Sequence, residues 1–130
     1  MKPRSLLTLT AAIVLPIAGA AAQTKYTVAA VVDQGRKPAT AICTEGTVLG
    51  TVEVWPDHVV LWRSDNTTVS IPTVAPRVQL QPITLIPTTA PATGGHRWNV
   101  TYSGQINADG TPDLRATNTG NVCPYRLQVR

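Results

Sequence analysis

The chain has no phenylalanine, one methionine, two cysteines, two histidines and only seven carboxylates in 130 residues. Each shortage excludes something. Without phenylalanine the core has to be built from valine, isoleucine, leucine and alanine. Two cysteines and two histidines, scattered along the chain, offer no metal-ligand spacing, so neither a metal site nor a cofactor is expected. There is no glycine-rich phosphate loop. Acid–base chemistry needs a poised histidine or carboxylate, and nucleophilic chemistry needs a base beside a hydroxyl or thiol. The titratable stock for either is thin. After residue 22 no apolar run approaches the roughly 20 residues that span a bilayer. No basic stripe with interleaved aromatics marks a nucleic-acid surface.

What is present begins with the N-terminus, MKPRSLLTLTAAIVLPIAGAAAQ. Lys2 and Arg4 precede an apolar stretch from Leu6 to Ala18, and Ala20-Ala21-Ala22 supplies small residues for cleavage. Residues 1–22 therefore read as a secretory signal peptide cut after Ala22. No cysteine follows the apolar run, which argues against a lipoprotein. Removal of Lys2 and Arg4 leaves nine basic against seven acidic residues, so the mature chain, residues 23–130, is close to neutral at +2. A chain of that length is one domain. Small cores are marginal, and in an exported, oxidising setting Cys43 and Cys123 are expected to form a disulfide. Closing that loop constrains the unfolded chain by about 4 kcal/mol in the chain-entropy account. The expected location is secreted or periplasmic.

The mature chain reads as short β-rich runs separated by Gly, Asn, Asp and Pro: 26–32, 40–44, 47–55, 58–64, 67–71, 96–106, 113–117 and 125–129. No stretch holds a helical period with caps. The expectation is an all-β fold, a small antiparallel β-sandwich of seven to nine short strands, Ig-like in general architecture, with one disulfide. Trp55 follows Cys43 by 12 residues, which resembles the cysteine-to-tryptophan spacing of an immunoglobulin sandwich. No tyrosine stands two residues before Cys123, however, and Trp55 ends its strand. Residues 72–95 hold Pro72, Pro76, Pro82, Pro87 and Pro91. Proline cannot donate to a sheet, so this segment is expected to be an extended crossover lying on the domain, part edge strand and part connection.

The stretch TVEVWPDHVVLW, Thr51 to Trp62, carries two of the three tryptophans. Pro56 and Asp57 suit the centre of a tight turn. With Trp55 opposite His58, Val54 pairs with Val59, Val52 with Leu61 and Thr51 with Trp62. Cross-strand partners share a face, so Val52, Val54, Val59 and Leu61 form one aliphatic face. Thr51, Glu53, Trp55, His58, Val60 and Trp62 form the other. The first is expected to face the core. The second, with Glu53, Trp55, His58 and Trp62 as candidate site residues, is expected either to meet a ligand or to be covered by the proline-rich segment or an adjoining loop.

Gln105 to Leu114 (QINADGTPDL) resembles the short Asp-rich calcium loop of FG-GAP/VCBS-type repeats in Asn107, Asp109, Gly110 and Asp113, but Gln105 stands where the first Asp belongs. The preferred reading is a hairpin with a three-residue loop and Gly110 in the left-handed position. Tyr102, Ile106, Leu114 and Ala116 then share an apolar face. His58 reads as a turn residue and His96 as a strand start. Enzyme activity is not expected. The expected function is an exported, non-catalytic binding module or accessory protein of the periplasm or cell surface, whose partner is an envelope protein or glycan on the Trp-bearing face. The alternative is a structural or assembly subunit of an envelope complex that pairs through an edge strand, supplied by the proline-rich segment or the 26–32 run. A small hydrolase ranks last.

Overall fold

A computed structural model describes residues 24–44, 48–120 and 122–130 of the chain. The signal-peptide stretch lies outside the described residues. Nine strands follow in order: β1 (Thr24–Val32), β2 (Val48–Val54), β3 (His58–Arg63), β4 (Thr68–Pro72), β5 (Ile83–Thr84), β6 (Thr88–Pro91), β7 (Asn99–Ile106), β8 (Pro112–Asn118) and β9 (Pro124–Val129). Every pairing is antiparallel. The run at 40–44 is irregular, and β7 begins at Asn99, three residues beyond His96.

The all-β expectation, the strand number and the disulfide are found. The two facing sheets of an Ig-like sandwich are not what the pairing displays. The strands form one continuous sheet in the order β4-β3-β2-β1-β9-β8-β7-β5, with β6 also on β7, curled into a half-barrel. The physical reason is β1. It pairs with β2 on one side and β9 on the other, and so joins the two sets of strands that a sandwich would keep apart. β1 is central in the strand order, but among the described residues only Val28 and Ala29 pair on both sides: residues 24–27 pair with β2 and residues 30–32 with β9. Glycine assists the curl. At Gly50 in β2 and Gly104 in β7, with positive φ, a Cβ would collide with the backbone of the neighbouring strand, and such close approaches mark sheet bends.

The concave side is the core. Val28, Val52, Val54, Val59, Leu61, Ile71, Leu85, Ile106 and Leu114 are almost completely buried there. A buried aliphatic side chain of this size contributes about 1.5–3 kcal/mol. Aliphatic burial thus does the work that the missing phenylalanines do elsewhere. Arg63 also points inward and is buried. Its guanidinium donates to Thr67 Oγ1 (2.9 Å), to the Pro91 carbonyl (2.6 Å) and to the Tyr102 hydroxyl (3.4 Å), so it spans from β3 to β6 and β7.

The two ends of the half-barrel differ. At one end the proline-rich segment crosses over, as its composition suggested. Thr73 pairs with Leu85 and joins the two ends of the sheet at a point. The Thr73 amide and hydroxyl donate to the Asp57 carbonyl, and the Arg77 amide donates to that of Pro56. The Arg77 guanidinium lies over Gly110. That end is stoppered. The segment then supplies β5 and β6, which run along the outer edge of β7 with Pro87 between them. The opposite end carries the Cys43–Cys123 disulfide, with Cα atoms 5.7 Å apart. It ties an irregular segment, not an early strand, to the residue before β9.

Candidate functional site

The β2–β3 hairpin has the register its sequence implies. Thr51 faces Trp62, Val52 faces Leu61, Glu53 faces Val60 and Val54 faces Val59. The Trp55 amide donates to the His58 carbonyl at 2.9 Å and closes the turn. The aliphatic face is buried. The mixed face is on the convex side, and the proline-rich segment does not bury it: Trp62 is 42% exposed, and Trp55 and His58 are half-buried.

The four candidate residues do come together. Glu53 sits between the two indoles. Its Oε1 accepts from Trp55 Nε1 at 3.3 Å and its Oε2 accepts from Trp62 Nε1 at 3.0 Å. Lys25 Nζ lies 3.8 Å from the same Oε2. The His58 ring stacks parallel on Trp55 with centroids 5.7 Å apart, and its Nδ1 is 2.7 Å from Asp57 Oδ1. The only polar atom of each indole is therefore held by one carboxylate. The rings are fixed in place, and what they offer outward is π-surface. The polar groups here are bonded to one another and not to a serine, threonine or cysteine nucleophile. Thr27 in β1 and Thr68 and Ser70 in β4 stand at cross-strand positions beside this surface, which gives it a hydroxyl-bearing margin.

A second constellation lies at the open end of the half-barrel, and the sequence reading did not find it. A cavity of about 430 Å³ opens there. Its floor is made by Tyr102, Ala116 and Leu127, its walls by Trp98, Val100 and Tyr125. Ile42, Thr44 and His96 stand at the rim. Trp98 is stacked by His96 at 4.2 Å and lies against Gly120, where a Cβ would sit 2.6 Å from the indole. The Tyr125 hydroxyl donates to the Thr44 carbonyl at 3.2 Å, beside the disulfide. His96 is thus a rim residue and not the start of a strand. The signal that could have pointed here is the pair of inward alanines, Ala30 and Ala116, on strands whose other inward positions are large.

The 107–111 segment is a hairpin loop, as preferred. The Asn107 amide donates to the Thr111 carbonyl and Gly110 has φ of 92°. Asp109 Oδ1 accepts from the Thr111 amide (3.0 Å) and hydroxyl (2.6 Å). Asp65 makes the same two bonds to Thr67, at 3.1 and 2.6 Å, in the β3–β4 loop, where Asn66 has φ of 67°. The Thr67 and Thr111 hydroxyls, then their amides, hold the two carboxyls below the usual range. Asp113, the other acid of the calcium-like pattern, lies 3.7 Å from Arg126. Among the described residues no group of three or more His, Cys, Asp or Glu could hold a metal ion. No family model, no curated protein and no solved structure matches the chain.

Proposed function

We propose that the protein is an exported, non-catalytic binding module or accessory protein that recognises a glycan or a protein of the cell envelope through the convex face of the β2–β3 hairpin. The observation that carries this reading is the single carboxylate of Glu53 holding both indole N–H groups. Large rings held rigid on an open face lose little conformational freedom on binding, and tryptophan is enriched where interfaces concentrate their energy. With their polar atoms already satisfied, the rings meet a partner through stacking, which suits the C–H face of a sugar ring or a hydrophobic side chain. The hydroxyls of Thr27, Thr68 and Ser70 then supply adaptable hydrogen bonds at the margin. Export is supported by the N-terminal pattern and by a disulfide whose Cys123 is buried, which suits an oxidising compartment outside the cytoplasm.

The test is co-sedimentation of the folded protein with purified peptidoglycan sacculi, cellulose and chitin, together with affinity capture from solubilised envelope, for wild type beside Trp62→Ala and Trp55→Ala. Retention that the wild type shows and both variants lose, with the fold kept and only a modest fall in melting temperature for Trp62→Ala, supports the reading. Retention indifferent to both substitutions contradicts it. The alternative, an assembly subunit that pairs through a strand edge, would use the proline-rich segment with β5 and β6, or the parts of the 26–32 run that have a neighbouring strand on one side. Its mark would be self-association or a stable envelope complex that survives Trp62→Ala.

A further inference from the structure

We propose that the cavity at the open end of the half-barrel is a second binding site, separate from the tryptophan face, and that it takes a small uncharged molecule with an apolar body and one hydrogen-bonding end. Three observations carry this. The first is volume and placement. About 430 Å³ falls within the range of small-molecule pockets, and the space lies beside a core whose central inward positions are almost completely buried. The second is the choice of residues. Where β2 and β3 place Val and Leu on the inner face, β1 and β8 place Ala30 and Ala116 beside the cavity, and Ala92 lines it from the segment after β6. Small residues leave the volume open. The space is open to solvent, so an apolar occupant would take its apolar walls out of water, which is favourable.

The third observation is chemical. Among the described residues that line it, none is Asp, Glu, Lys or Arg, and His96 is the one imidazole. A charged ligand would be desolvated there with no counter-charge on a described lining residue, and the buried Arg63 guanidinium behind Tyr102 is already taken up by Thr67, the Pro91 carbonyl and the Tyr102 hydroxyl, so the occupant is uncharged. The rings of Trp98, Tyr102 and Tyr125 and the side chains of Val100 and Leu127 fit its apolar body, while Asn118, Thr93 and His96 can meet a polar end. The mouth is also braced. The disulfide and the Tyr125–Thr44 bond fix one lip. The Ala92 amide, which donates to the Trp98 carbonyl at 3.1 Å, fixes the other.

The test titrates the neutral, apolar fluorophore N-phenyl-1-naphthylamine into the folded, disulfide-bonded protein. The expected result is a single saturable site with enhanced, blue-shifted probe emission. Ala30→Phe and Ala92→Leu, which fill the cavity from two sides, should each weaken binding by about tenfold or more, equivalent to about 1.4 kcal/mol. Trp62→Ala should leave it unchanged. A melting curve for each variant identifies loss through misfolding, and Ala92→Leu, on a loop, decides the matter if Ala30→Phe does not fold. Absence of saturable binding overturns the proposal. So does binding that resists a folded cavity-filling variant, or binding that Trp62→Ala abolishes. None of these outcomes bears on whether the convex face retains a glycan, so the two sites stand or fall separately.

Discussion

Two aromatic clusters sit on opposite sides of the same sheet, and they are assembled in different ways. Trp55, His58 and Trp62 come from one hairpin and are tied by Glu53 on the adjoining strand position. Trp98, Tyr102 and Tyr125 converge from β7, its preceding loop and β9, and their neighbour Thr44 is brought in by a disulfide that closes 80 residues. The first cluster depends on one local register. The second depends on how far the sheet curls and on a covalent link between distant parts of the chain. The convex cluster should therefore survive changes that dismantle the cavity, while the reverse dependence should be weak.

The sharpest way to break the symmetry is to remove the disulfide. Cys43→Ser combined with Cys123→Ser should destabilise the domain by about 4 kcal/mol in the chain-entropy account, read from the urea midpoint. Probe binding at the cavity should fall in the molecules that remain folded, because the lip at Ile42 and Thr44 is released. Trp62 should keep its exposure. If the cavity probe binds the disulfide-free protein as well as the native one, the lip is not what shapes the cavity.

A smaller effect is expected on the convex side. In Glu53→Gln a carboxamide can accept from one indole but presents an N–H to the other. The loss should be about 1–2 kcal/mol of stability, in keeping with hydrogen bonds to a charged acceptor. The contribution of Lys25, exposed and 3.8 Å away, is minor within that. The more telling readout is the emission anisotropy decay of Trp55 and Trp62, which should show freer rings, with cavity binding unaltered.

The smallest effect concerns the two loops that share one construction, Asp65 with Thr67 and Asp109 with Thr111. Both carboxyls are held below their ordinary value of 3.8 by the threonine bonds. A depressed folded-state value stabilises the fold above the unfolded value and loses that contribution as pH falls through the folded one. The double variant Asp65→Asn, Asp109→Asn should therefore lose less stability than the wild type between pH 5 and pH 2 in paired urea titrations, and should differ little in slope above pH 5. Both groups are exposed, so the expected change is a flatter profile and not a large displacement.

What the sequence made legible follows the same division. The β2–β3 register was readable because Val52, Val54, Val59 and Leu61 alternate with polar or aromatic residues across a Pro56-Asp57 turn, and a one-residue slip would put Glu53 on the same face as Leu61. The β7–β8 hairpin was readable from Asp109-Gly110 and from the inward set Tyr102, Ile106, Leu114 and Ala116. The proline-rich crossover was readable because proline is confined to edges and connections. One curled sheet could not be told from two facing sheets, since each strand buries one face in either case and the difference lies in the pairing of β1 with β9. The cavity was out of reach for a related reason. The small inward residues Ala30 and Ala116 hint at missing volume, but the space beside them exists only once β1, β8 and β9 are neighbours. That the four candidate residues on the hairpin meet around one carboxylate was implied by a shared face. That Glu53 would bind both indoles was not, because it depends on side-chain rotamers.

The proposed binding face requires the convex tryptophans to be open and fixed. Acrylamide quenching of the folded protein, wild type beside Trp62→Phe and Trp55→Phe, measures this. A red-shifted, readily quenched component that disappears in Trp62→Phe, with Trp55 intermediate, is the predicted result. Blue-shifted emission protected at both positions would mean that something covers the hairpin, and would contradict the proposed binding face.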